Sequence, residues 1–108
     1  MMYRVDFTEP AEEDLLAALR YISDVLKAPG AASKLLSETE QQLKVLESLP
    51  RSCPLVQDEV LAMQGIRLLS VKNYLVFYVV KESEKAISII RFLYGRRDWA
   101  RALKGKDL

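Results

Sequence analysis

The seven residues Tyr74-Leu75-Val76-Phe77-Tyr78-Val79-Val80 constrain the fold more than any other part of the chain. Successive side chains of a strand point to opposite faces. A run that is apolar on both faces belongs in the centre of a sheet, not at its rim. Neighbouring strands are predicted on either side of it in sequence, at about 66–71 and 86–93. The polar stretch Lys81-Glu82-Ser83-Glu84-Lys85 reads as the turn of a hairpin between the second and third of these strands.

The rest of the chain supplies helices and one more strand. Tyr3-Arg4-Val5-Asp6-Phe7 alternates apolar and polar residues, as a strand buried on one face does. Thr8 is a candidate helix N-cap, with Pro10 in the first turn and carboxylates at Glu9, Glu12, Glu13 and Asp14 near the positive helix end. Leu15, Leu19, Ile22 and Leu26 recur at helical spacing, which predicts a helix to about Lys27. Ala28-Pro29-Gly30 reads as a break. A second helix is expected from about Ala31 to Leu49, with Leu35, Leu36, Thr39, Leu43 and Leu46 along one face. Pro50-Arg51-Ser52-Cys53-Pro54 reads as a loop, and 98–106 as one short helix at most. The predicted class is α+β: an N-terminal strand, a helical hairpin, then a three-stranded antiparallel meander in one small sheet, with a short C-terminal tail or helix. At 108 residues, positions 1–108 are expected to form a single domain. The helical hairpin must bury its leucines on one sheet face. The other face is then expected to be open, or covered by a partner.

Charge is unevenly spread. Residues 1–64 carry 6 Lys/Arg against 11 Asp/Glu, and residues 65–108 carry 10 against 4, inside a chain of net charge +1. The basic back half suits an anionic partner. The chain has no histidine and one cysteine, Cys53, which removes the commonest general base and metal ligand and makes a zinc site unexpected. No Gly-rich phosphate loop is present, so no cofactor is implied. No stretch reaches the roughly 18–20 apolar residues of a membrane span. The N-terminus has no signal-peptide pattern, and a lone cysteine fits a reducing compartment. A cytoplasmic location is the resulting expectation.

The candidate functional residues lie in the basic third. Arg67 lies between Ile66 and Leu68 in the first meander strand, either as a solvated cation or as one that meets phosphate. Arg91 interrupts an apolar row. Counted strictly by twos, Ile87, Ile89, Arg91 and Leu93 share one face of the last strand. Arg91 is then either a structural arginine paired with a carboxylate or a phosphate-binding cation on a rigid scaffold. In Tyr94-Gly95-Arg96-Arg97-Asp98-Trp99, two adjacent guanidiniums resist joint burial, and guanidinium holds phosphate through two parallel hydrogen bonds. Tyr94 and Trp99 offer flat surfaces for base stacking, and Arg101 extends the basic patch. The alternative for this segment is a solvated tail with Trp99 folded back on the core. Lys72 and Asn73 read as turn residues. The carboxylates at the start of the first helix read as helix-end electrostatics.

The order of these pieces resembles the RelE/ParE superfamily of type II toxins, also called plasmid stabilisation proteins. It covers the opening strand before Pro10-Ala11-Glu12-Glu13-Asp14-Leu15, the hairpin, and Leu49-Pro50-Arg51 with Pro54. It continues through Arg67-Leu68-Leu69-Ser70-Val71-Lys72-Asn73-Tyr74-Leu75-Val76-Phe77-Tyr78 and Ile89-Ile90-Arg91-Phe92-Leu93-Tyr94-Gly95-Arg96-Arg97-Asp98-Trp99. The resemblance implies a toxin neutralised by a cognate antitoxin protein, with promoter DNA bound only through that antitoxin. It implies one of two targets, DNA gyrase for ParE-like members or the ribosome and its mRNA for RelE-like endonucleases. On the nuclease reading Arg67 and Arg97 would be catalytic. On either reading Arg91, Tyr94, Arg96, Arg97, Trp99 and Arg101 would contact the target. The nucleases carry arginine where this chain has Leu75 and use a C-terminal tyrosine or histidine, so the resemblance is closer to ParE.

Overall fold

The computed structural model describes residues 2–95 and 98–105. Strand β1 (Arg4–Phe7) leads into helix α1 (Glu9–Arg20), a π-helical turn (Tyr21–Val25) and helix α2 (Pro29–Ser48). A short helix α3 (Glu59–Met63) precedes the strands β2 (Arg67–Val71), β3 (Tyr74–Lys81) and β4 (Ala86–Tyr94), and helix α4 (Trp99–Leu103) follows them. The four strands lie in the order β1-β4-β3-β2. β2, β3 and β4 form the expected antiparallel meander, and β1 pairs parallel with β4 from Arg4 opposite Ala86 to Phe7 opposite Ile89. β3 is interior, as its two apolar faces require.

The β1–α1 junction is held by Thr8. Its hydroxyl oxygen accepts the Ala11 amide at 3.3 Å, and the hydroxyl donates to the Ile89 carbonyl at 2.9 Å. One side chain thus caps the helix and ties it to β4. α1 stops at Arg20, short of the expected Lys27. The Leu26 amide bonds to the Tyr21 carbonyl five residues back, the π spacing, and Lys27 turns the chain at φ 55°. The break therefore falls before Pro29. Proline and Gly30 open α2, because the first helical position needs no amide donor.

The sheet is covered on both faces. Beneath α1 and α2, Leu35, Leu43 and Leu46 pack with Val76, Tyr78, Ile87, Ile89 and Phe92. On the far face Phe77 and Leu93 pack with Val56, Leu61, Ile66 and Ala102, flanked by Trp99 and Leu103. The expectation of an open or partner-covered far face is therefore corrected: α3 and α4 of the same chain cover it. Asp58 caps α3 by accepting the Leu61 amide at 3.1 Å, and its other oxygen meets Lys104 of the α4 end at 2.7 Å. The strict count by twos along β4 also fails. Tyr78 faces Ile89 but Phe77 faces Arg91, so Ile90 is an extra residue at a bulge. Beyond it Phe92, not Leu93, joins Ile87 and Ile89 in the helix-side core.

Candidate functional site

The two sheet arginines are both held by the fold. Arg67 donates from Nη1 to the Cys53 carbonyl at 2.7 Å and is half-buried. Opposite it in register, the fully buried Tyr78 donates its hydroxyl to the Pro50 carbonyl at 2.9 Å. Burial pushes the Tyr78 hydroxyl far above the ordinary phenol range, so it stays a donor. Together these side chains stitch the 50–53 loop to the sheet.

Arg91 makes a two-pronged pair with Asp14, Nε to Oδ2 at 2.6 Å and Nη2 to Oδ1 at 3.0 Å. Asp14 Oδ2 also accepts the Phe92 amide at 3.0 Å. The cause lies in the sheet. β1 ends opposite Ile89, so from there on β4 has no strand on that side, only β3 on the other. Asp14 supplies the missing acceptor for a backbone amide that would otherwise lose its partner. Of the two sequence readings of Arg91, the carboxylate-paired one describes its position. Asp14, read from the sequence only as a helix-end charge, is its partner.

The remaining candidates surround the end of the sheet. Tyr94 is exposed and meets Tyr74 edge-on at 5.6 Å, while Tyr74 stacks on Phe92 at 5.1 Å. The Gly95 amide donates to the Asn73 carbonyl at 2.8 Å, and a Cβ at Gly95 would lie 3.1 Å from that oxygen. Glycine is thus favoured at this crossing by close approach. Trp99 is half-buried against Phe77 at 5.3 Å, the folded-back arrangement. Arg101 is exposed on α4, whose Asp98 cap accepts the Arg101 amide at 3.4 Å. Arg96 and Arg97 lie outside the described residues.

Beside Tyr94 opens a groove of about 800 Å³ that sequence reasoning did not find. Its walls come from α1, the π turn, the start of α2, the Lys72–Asn73 turn and the end of β4. Tyr21, Ile22, Leu26, Leu35, Tyr74 and Phe92 make it apolar and aromatic, with Lys72 at the mouth. Burial, then the neighbouring Tyr94 and Tyr21, raise the pKa of the Tyr74 hydroxyl. Among the described residues no group of three or more Cys, Asp or Glu side chains is arranged to hold a metal ion. Among them, too, no helix is long and apolar enough to cross a membrane.

A family model described as the ParE toxin of type II toxin-antitoxin system, parDE, matches residues 5–99. The chain belongs to the ParE toxin family. A solved chain from the chromosomal ParDE system of P. aeruginosa is similar at 26% identity and TM-score 0.68, covering 86% of this chain and 96% of that one. The RelBE2 toxin-antitoxin complex of Mycobacterium tuberculosis gives 19% identity and TM-score 0.56, covering 87% and 99%. The isolated E. coli RelE toxin gives 19% and 0.51, covering 95% and 97%. At those identities the two RelE-type likenesses speak for the fold alone. No curated protein sequence matches. In this ParE-family chain both sheet arginines are tied into the fold, and the aromatic groove shares Asp14 with Arg91.

Proposed function

We propose that this ParE-family toxin arrests growth by binding a nucleic-acid-processing target such as DNA gyrase through its basic C-terminal region. A cognate antitoxin of the ParD type neutralises it and carries the contact to promoter DNA. What supports binding over RNA cleavage is the engagement of the sheet arginines. A ribonuclease needs cations, a base and an acid converging on one phosphodiester. Here Arg67 is spent on the Cys53 carbonyl and Arg91 on Asp14. Position 75 is leucine and the chain has no histidine. On this reading Arg96, Arg97 and Arg101 are a binding surface.

The test is induction of the chain without its antitoxin, with mapping of transcript 5′ ends alongside plasmid supercoiling. Growth arrest with intact transcripts and altered supercoiling is expected. New 5′ ends inside translated codons, lost in Arg97→Ala, would instead make it a ribosome-dependent mRNA endonuclease. A wild type that is harmless when freely expressed would make it an inactive antitoxin-binding relative.

A further inference from the structure

The groove presents an imbalance of charge at an apolar wall. Its one carboxylate, Asp14, is already neutralised by Arg91 and by the Phe92 amide. Among the described residues its one lining cation is Lys72, which is exposed and has no ion-pair partner among them. Lys72 stands at the tip of the β2–β3 hairpin with φ 53°, a left-handed conformation that lysine rarely adopts. Around it lie large apolar side chains still in water: Tyr21 is 52% exposed, Leu26 55% and Tyr94 46%. An aromatic trough with one unmatched ammonium at its mouth complements a ligand that is apolar along one side and anionic at one point.

We propose that Lys72 is the specificity-determining residue of a docking groove for the antitoxin. The occupant is a segment that seats a large apolar side chain between Tyr21, Leu26 and Tyr74 and sets an aspartate or glutamate on Lys72. This rests on the toxin–antitoxin reading. The volume suits this occupant. About 800 Å³ takes several side chains of a peptide, and the exposed Tyr21, Leu26 and Tyr94 extend the apolar surface beyond the trough. The apolar contacts supply most of the affinity, and the single charge selects among partners by penalising those that bring a cation or nothing. A lone surface pair would add little. At the lip of a groove that is dry when filled, the same pair is less screened.

The test uses the full chain and the purified product of the short reading frame beside its gene, with binding measured by titration calorimetry. Lys72→Glu is expected to weaken binding by about tenfold or more at unchanged thermal stability. Tyr21→Ala, an exposed position, is expected to weaken it by a similar factor. Lys81→Glu makes the same charge change at the opposite end of β3, roughly 23 Å away along the strand, and is expected to leave binding unchanged. Reversing the matching acidic residue of the antitoxin to lysine should restore binding to the Lys72→Glu toxin. Equal binding by Lys72→Glu and wild type overturns the proposal. So do equal losses in Lys72→Glu and Lys81→Glu, which would make the effect one of net charge. A wild type that fails to bind the neighbouring protein at all sinks the partnership itself, and this proposal with it.

Discussion

The two faces of the sheet are built on different terms. The helix-side face is covered by two long helices, α1 of 12 residues, tied to β4 by Thr8 and Asp14, and α2 of 20. The far face is covered by α3 and α4, of five residues each. Helices that short do not form on their own. They persist because Asp58 and Asp98 cap them, Lys104 links the α4 end to α3, and Phe77, Leu93 and Trp99 give them a floor. The first face is strong through its length. The second holds only where its side chains meet, so its cover is expected to open first.

That contrast can be broken most forcefully at Phe77. Phe77→Ala removes the floor of the far face and is expected to cost about 4 kcal/mol in urea unfolding. It should also shift the emission of Trp99, the chain's single tryptophan, to the red in the folded state. Leu35→Ala, the helix-side counterpart, is expected to cost about 3 kcal/mol while leaving Trp99 emission unchanged. A matching red shift in both variants would mean the two cores are one.

The next effect is at Asp14. Asp14→Ala leaves Arg91 and the Phe92 amide without their acceptor. The pair is partly open, with side-chain exposures of 23% and 15%, so about 2 kcal/mol is expected in the same assay. Hydrogen exchange at the Phe92 amide should accelerate along with the loss. An unchanged exchange rate would show that another group had replaced the carboxylate.

Smaller again is Lys104→Ala. The expected outcome is a Trp99 unfolding midpoint that moves ahead of the far-UV circular dichroism midpoint, separating α4 from the long helices. Coincident midpoints would show that the far face opens only with the whole.

The smallest effect lies at the end of the sheet, away from the groove. Lys85, then Tyr3 and Arg51, bond the Glu82 carboxylate and hold its pKa at about 2. A lowered folded-state pKa stabilises above the ordinary carboxylate range. That contribution is lost as pH falls from about 4.5 toward 2. Between about pH 5 and pH 3 wild type should therefore lose more stability than Glu82→Gln. Parallel slopes for the two would remove Glu82 from acid unfolding.

What could be read in the sequence follows the same division. The β3 run, the Thr8 cap and the leucine rows of the long helices repeat a pattern over enough residues to be seen. α3 is too short for a helical repeat, and its one signal, Asp58 three residues before Leu61, does not stand out from an ordinary polar loop. The bulge at Ile90 reversed the side-chain count along β4, because a period of two is undone by a single extra residue. Arg91 was legible as an alternative, a cation needing a carboxylate, but its partner lay 77 positions away. The groove was not legible at all, since its walls come from separate elements whose meeting is a property of topology. Lys72 and Asn73, turn residues in the sequence, became its mouth only once β3 lay beside β4.

The parallel pairing of β1 with β4 has a consequence in time. Between Arg4 and its neighbour Ala86 lie helices α1, α2 and α3 and the strands β2 and β3. A contact so distant along the chain is slow to close and gives nothing back until it does. β1 therefore stays unmatched while the local β2–β3–β4 meander forms, and its pairing closes the sheet rather than starting it.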